Sequence, residues 1–183
     1  MLLSAISNAE DLKEYEQCGS GPEAQLLAKL IITDALQQRK TIKCNSTLTS
    51  AAYDKAILMR ERGLVMHNLG GSPNNWLRDR GFELPSYYGG SFSNQVEAIA
   101  GGYRTAKGVW HDFKRSKAHK EHLLGELEFF QEQDQLGVAY YRDVKSLHDD
   151  YWVIYLTKGT STKEVNKFEE SDIPNKSNLI LKK

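Results

Sequence analysis

Two neighbouring segments decide the fold: LGVAYY at residues 136–141 and YWVIYLT at residues 151–157. In the first segment Leu136, Val138 and Tyr140 recur at every second position, which is the period of a β-strand. The second segment is a run of β-branched and aromatic residues, which are enriched in strands. A polar connection at residues 146–150 lies between them. The pattern therefore predicts an antiparallel β-hairpin.

The chain before this hairpin has mainly helical spacing. The first predicted helix begins at Pro22 and carries an apolar stripe that reaches Leu36. The second begins at Thr49, a residue type typical of N-caps, and ends at Gly63. Shorter helices are predicted at residues 72–81, 105–114 and 116–124, and a strand or extended turn at residues 94–100. Helices first and strands last predict an α+β fold in which helices pack on a sheet.

Composition limits the classes of partner. Lys plus Arg and Asp plus Glu are equal at 24 each, so the formal net charge is zero. A balanced charge disfavours general binding to nucleic acid, which usually needs a basic excess. The longest mostly apolar stretch, residues 26–36, contains Lys29 and Asp34 and is too short to span a bilayer. We therefore expect no nucleic-acid partner and no transmembrane segment.

The 183 residues fit one domain with a segment at either end. We expect an N-terminal leader at residues 1–21, the folded domain at 22–158 and a flexible C-terminal tail at 159–183. The first residues lack the basic region and apolar run of a signal peptide, so the sequence as given carries no export signal. Cys18 and Cys44 form either one disulfide or two separate thiols, and their number leaves both open.

Ionisable residues in unusual surroundings are the first candidates for a site. Glu97 lies within VEAIA at residues 96–100, and a carboxylate among apolar neighbours must find a partner or take a raised pKa. His67 follows an apolar run and, taken alone, is typical of a loop or capping histidine. His119 and His122 share a helical face, but their spacing of three differs from the four of the zincin pattern.

Five short segments in order give a more specific signal, and together they resemble the CAP superfamily (the cysteine-rich secretory, antigen 5 and pathogenesis-related group), in particular its bacterial SCP-like domains. The resemblance covers about residues 23–157. The segment EAIA resembles the family's Gly-Glu-Asn-Ile signature, and SKAH after Trp110 resembles its Ser-x-x-His element. The five segments are LVMHN at 64–68, RDRGF at 78–82, EAIA at 97–100, Trp110 with SKAH at 116–119 and LL at 123–124, and the two hairpin strands.

This resemblance implies an α-β-α sandwich with a central antiparallel sheet and an open cleft that binds divalent metals in family members. By position it makes His67 and His119 metal ligands, for zinc or another divalent cation, and Glu97 the signature acid of the binding cleft. Two departures from the family pattern change the expected site, and the second reduces its four residues to these three. Ala98 replaces the signature asparagine, and Phe113 stands where many members carry a second glutamate. Asp112 is adjacent, but one residue along a helix turns it by about 100°.

Three alternative functions are open, and the family resemblance favours the first. The first is a secreted or cell-envelope binding module whose cleft holds a metal, a lipid or another small molecule, or a partner protein. The second is a hydrolase in which a metal, or Glu97 with a histidine, activates water. The third is a structural subunit of a larger assembly with a vestigial cleft. The sequence shows no nucleophile with an adjacent base and only a partial set of metal ligands, which favours binding over catalysis.

Overall fold

The structure is a computed structural model that describes residues 12–89 and 94–159. A single turn of 3₁₀ helix at Lys13–Tyr15 precedes the main elements. The helices are α1 (Pro22–Ile32), α2 (Ser46–Arg62), α3 (Pro73–Arg78), α4 (Ala106–Arg115), α5 (Lys117–Leu124) and α6 (Glu128–Gln131). The strands are β1 (Lys43–Cys44), β2 (Glu97–Gly101), β3 (Gln135–Arg142) and β4 (Asp150–Thr157). The α+β class is confirmed.

The four strands form one sheet in the order β1-β3-β4-β2. Strands β3 and β4 form the predicted antiparallel hairpin, with Val138 opposite Ile154, and β2 pairs antiparallel to β4. The short strand β1, which the sequence pattern did not indicate, runs parallel to β3. The sheet is therefore mixed, with the expected antiparallel strands at its centre and one parallel edge.

Helices cover both faces of the sheet, as expected for an α-β-α sandwich. Along a strand, side chains alternate between faces. Even-numbered strand residues such as Val138 and Ile154 pack with helices α1, α4 and α5 in one apolar cluster. Odd-numbered residues such as Val153 and Tyr155 pack with α2 and α3 in a second cluster. The hairpin thus contributes to two cores, one on each face.

Two helix boundaries differ from the sequence expectations. Helix α2 begins at Ser46, because the side chain of Asn45 accepts hydrogen bonds from the backbone N–H groups of Thr47 and Leu48. The predicted N-cap Thr49 lies inside the helix. Helix α1 ends at Ile32, and Leu36, the last residue of the predicted stripe, is 52% exposed.

The described part of the predicted leader packs on the domain. Cys18 is buried and forms a disulfide with Cys44 of β1, which decides between the two alternatives for these thiols. Tyr15 belongs to the same apolar cluster as α1, and Gly19 pairs with Val138. The folded unit therefore extends N-terminal to Pro22. Residues 1–11 of the leader and 160–183 of the predicted tail lie outside the described residues.

Gly137 allows the second helix to approach the sheet closely. A Cβ atom at this position of β3 would overlap the backbone of Leu48 and Thr49 in α2. Backbone cannot move aside as the end of a flexible side chain can. The glycine therefore sets the distance between α2 and the sheet, and α2 carries the segment that leads to His67.

Candidate functional site

The structure brings the three predicted residues His67, Glu97 and His119 to one cleft of about 150 Å³. Each comes from a different element. His67 lies in the turn that follows α2, Glu97 is the first residue of β2, and His119 lies in α5. The remaining residues that line the cleft are Asn94, Gln95, Ala118, His122 and Phe130.

Glu97 is fully buried and both of its carboxylate oxygens are engaged. Oε1 lies 2.8 Å from Nδ1 of His67, and Oε2 accepts a hydrogen bond of 2.6 Å from the hydroxyl of Tyr155. Burial, and then the charge of Glu97, raise the pKa of Tyr155 well above its ordinary value, so that hydroxyl keeps its proton and donates. The expectation that Glu97 must find partners is confirmed. Its Oε1 contacts His67 and its Oε2 contacts Tyr155.

The Glu97 contact selects one ring nitrogen of His67. A carboxylate is a strong acceptor, so Nδ1–H donates to Glu97 and Nε2 is left with its lone pair. The side chain of His67 is 41% exposed, so a ligand in the cleft can reach the ring. Seen in the structure, His67 is neither a cap nor an isolated loop residue.

Asn94 holds the start of β2 in place, and sequence reasoning missed it. Its Oδ1 accepts from the backbone N–H groups of Val96 and Glu97, and its Nδ2 donates to the carbonyl oxygen of Glu97. The same Nδ2 lies 3.0 Å from Nδ1 of His67. When Nδ1–H donates to Glu97, this is a contact between two N–H groups and not a hydrogen bond. The available signal was an asparagine two to three residues before a strand, a position from which Asx side chains bind the following backbone.

Lys55 of α2 was also missed, because a lysine within a helix usually faces solvent. It is fully buried, and its Nζ donates to the carbonyl oxygens of His67 at 2.7 Å and Leu69 at 2.6 Å. It also lies 3.8 Å from Oε2 of Glu97. Burial lowers the pKa of Lys55, and the charge of Glu97 opposes that shift.

His119 lines the same cleft as His67 and is half-buried. Burial lowers its pKa, the nearby charge of His67 adds to this shift, and Asp112 opposes it. The ring of Phe113 meets the ring of His119 edge to face, with centroids 5.0 Å apart. Phe113 therefore packs against the ring of His119 and supplies no donor atom to the cleft. The adjacent Asp112 accepts a hydrogen bond from the hydroxyl of Tyr103.

His122 lies at the floor of the cleft and is buried. Its Nε2–H donates to the carbonyl oxygen of Leu156 at 2.9 Å, which ties α5 to β4. Burial lowers its pKa to about 4. A neutral ring whose Nε2–H binds the backbone of β4 supports the fold. His122 therefore differs in its surroundings from His119, which lies three residues before it in the same helix.

The cleft offers few ligands for a metal ion. Within residues 12–89 and 94–159, no group of three or more His, Cys, Asp or Glu side chains is arranged to hold one. The oxygens of Glu97 are bonded to His67 and Tyr155. Two imidazoles remain as possible ligands. One is that of His67, whose Nδ1 is bonded to the carboxylate of Glu97, and the other is that of His119. This set fits a cation that completes its coordination with water or a bound ligand, and the metal itself stays a prediction.

A larger depression of about 600 Å³ lies around Phe82, Glu132 and Lys158. Two of its ionic groups bind each other: Lys158 pairs with Glu132, and the hydroxyl of Tyr87 donates to the same carboxylate. Among the described residues, no histidine lines this depression. We therefore place the candidate site in the smaller cleft, where the ionisable groups converge.

The comparisons bear on the fold alone. No protein-family model matches the chain, and neither does any curated protein. Among the helices in the described part, none combines the length and apolar character that a membrane crossing needs. The chain is similar to the solved structure of an outer surface protein from Borrelia burgdorferi, with a TM-score of 0.51 and 20% identity. The match covers 86% of this chain and 92% of that one, so the two share a fold over nearly the whole described domain.

Proposed function

We propose that the chain is an extracytoplasmic binding domain of the CAP type, whose cleft holds one divalent cation between His67 and His119. One observation carries the proposal: the two imidazoles meet at one cleft, with buried Glu97 bonded to Nδ1 of His67. Imidazole nitrogens are common zinc ligands, so zinc is the cation to test first.

Three features of the donor set support a cation. With Nδ1 of His67 taken by Glu97, the nitrogen left for a ligand is Nε2. A carboxylate behind a ligating imidazole is the usual partner at zinc sites, where it fixes the ring and raises its basicity. The lowered pKa of His119 favours the neutral imidazole, which is the form that binds metals. A bound cation would supply a Lewis acid with open coordination positions.

The volume of the cleft restricts what could accompany the ion. A cleft of about 150 Å³ has room for about five waters at about 30 Å³ each. Pockets that enclose drug-sized molecules measure about 300–1,000 Å³. The proposed cargo of this cleft is therefore an ion with a small ligand or a single side chain of a partner, and a lipid would need another surface.

Isothermal titration with zinc tests the proposal. We expect one site in the wild-type protein and no site in either His67→Ala or His119→Ala. His111→Ala is the matched control, since His111 is exposed on α4 and does not line the cleft. Equal zinc affinity in the wild type and both cleft variants would contradict the assignment. No binding to the wild type would favour a vestigial cleft in a structural subunit.

An extracytoplasmic location is part of the proposal. The disulfide between Cys18 and Cys44 supports it, because such bonds persist mainly in oxidising compartments. The structural neighbour from Borrelia burgdorferi is named as an outer surface protein, which points the same way. Fractionation of cells that produce the full gene product, with alkylation of free thiols, would test location and disulfide together.

Hydrolysis is a second candidate, favoured by the hydrogen bond of 2.8 Å between Glu97 and His67. A carboxylate that orients an imidazole is the geometry of a general base. None of the cleft-lining residues in the described part is Ser, Thr or Cys, so water would be the nucleophile. A screen of ester and peptide substrates should then find activity that Glu97→Gln abolishes and His111→Ala retains. Activity that survives Glu97→Gln unchanged would rule out this mechanism.

A further inference from the structure

Lys55 places a charged group inside the apolar cluster beneath the cleft. The residue is fully buried among side chains of α2 and α3, with Nζ 5.2 Å from the centroid of the Trp76 ring. Removal of an ammonium group from water is costly unless partners replace the water. The partners here are all parts of the candidate site: two carbonyl oxygens of the turn that contains His67, and the carboxylate of Glu97.

Two of the partners of Lys55 belong to His67 and Glu97, which are hydrogen-bonded to each other. Nζ binds the backbone of His67 itself, at 2.7 Å from its carbonyl oxygen, and pairs with Oε2 of Glu97 at 3.8 Å. The ammonium group of Lys55 thus contacts both residues of the hydrogen bond between Nδ1 of His67 and Oε1 of Glu97. The backbone hydrogen bonds of this turn are local, from Leu69 N–H to Met66 and from Gly71 N–H to Asn68. The two contacts of Lys55 instead tie the turn to α2.

We propose that Lys55 is a positioning residue that sets the tautomer of His67. It does so by holding the turn of His67 and the carboxylate of Glu97 in fixed positions relative to each other. With both held, Nδ1–H donates to Glu97 and Nε2 presents a lone pair to the cleft. Tyr155 completes the arrangement from β4 by binding the same oxygen of Glu97. The inference rests on the proposed function in one respect: Nε2 is the atom that would meet the cation.

Nitrogen-15 spectra of the imidazole rings in the metal-free protein at pH 8 test this directly. We expect His67 of the wild type to be protonated at Nδ1 and bare at Nε2. In Lys55→Met, which is similar in length and uncharged, the ring should shift toward the Nε2–H form. Zinc affinity should fall in parallel by about 10–100-fold, as for other losses of support behind a ligating histidine.

The matched control is Arg80→Met. Arg80 also lies against the Trp76 ring, but its side chain donates to Asp54 and to the carbonyl oxygen of Trp76. Loss of a cation there should leave the His67 tautomer unchanged. Circular dichroism checks that each variant folds, and Lys55→Gln, which keeps an N–H donor, replaces Lys55→Met if the latter does not fold.

The outcomes separate this inference from the proposed function. A wild-type His67 protonated at Nε2, or a tautomer unchanged in the folded Lys55 variant, would overturn the role of Lys55 even if zinc binds. An Nδ1–H tautomer that depends on Lys55 supports the role of Lys55. If the wild-type protein with that tautomer nevertheless binds no zinc, the proposed cation is wrong and the role of Lys55 stands.

Discussion

Acidification should destabilise the protein through His122, by an amount that its environment sets. Burial lowers the pKa of His122 to about 4, whereas an unfolded histidine has a pKa of about 6.5. The unfolded chain therefore binds more protons as the pH falls, and folding is favoured less. The contribution of the neutral His122 ring to the free energy of unfolding is complete above pH 6.5 and is lost as the pH falls towards 4. The loss is about 2 kcal/mol by pH 5 and about 3 kcal/mol by pH 4.

Urea denaturation at several pH values between 7.5 and 4 measures this loss. Carboxylates also titrate in that range, so the wild type is compared with His122→Gln. Glutamine does not titrate and retains an N–H that can donate to the carbonyl oxygen of Leu156. We expect the free energy of unfolding of the wild type to fall by about 3 kcal/mol more than that of the variant, because only the wild type must protonate a buried ring. Parallel curves for the two proteins would refute the reasoning.

Two further predictions concern the frame that carries the site. Gly137→Ala should lower the free energy of unfolding by about 1–3 kcal/mol or more, because its Cβ would overlap the backbone of Leu48 and Thr49. A loss well below about 1 kcal/mol would contradict the close approach. Replacement of both Cys18 and Cys44 by serine should cost about 3.5 kcal/mol, since their disulfide closes a loop with a sequence separation of 26. A midpoint of thermal unfolding that is the same with and without reductant would contradict that contribution.

Local patterns predicted the elements but not every boundary. The alternation in residues 136–141 and the β-branched run in 151–157 identified the hairpin, because each strand contributes to both cores and must be apolar on both faces. Strand β1 was missed because two residues are too few to show a period. The N-cap Asn45 was missed in favour of Thr49 because both residue types cap helices and the sequence does not show which backbone N–H groups are free.

His67 and His119 were predicted from the resemblance, and Glu97 was also predicted from its conflict with apolar neighbours. Glu97 stood out as a carboxylate within an apolar strand, and it is buried and paired as expected. Lys55 and Tyr155 did not stand out, because their partners are distant in sequence. A signal for Lys55 did exist: Ala51, Ala52 and Met59, at helical spacing from it, are all buried, which puts the lysine on the inner face of α2.

The central claim is that His67 and His119 hold one cation in the cleft, and an anomalous difference map at the zinc edge tests it most directly. Crystals of the full chain grown with zinc should show one strong peak about 2.0–2.1 Å from Nε2 of His67 and from a ring nitrogen of His119. Glu97 should remain bonded to Nδ1 of His67 and Tyr155, outside the first coordination sphere. A cleft without a peak, or a peak bound by Glu97 in place of His67, would contradict the account.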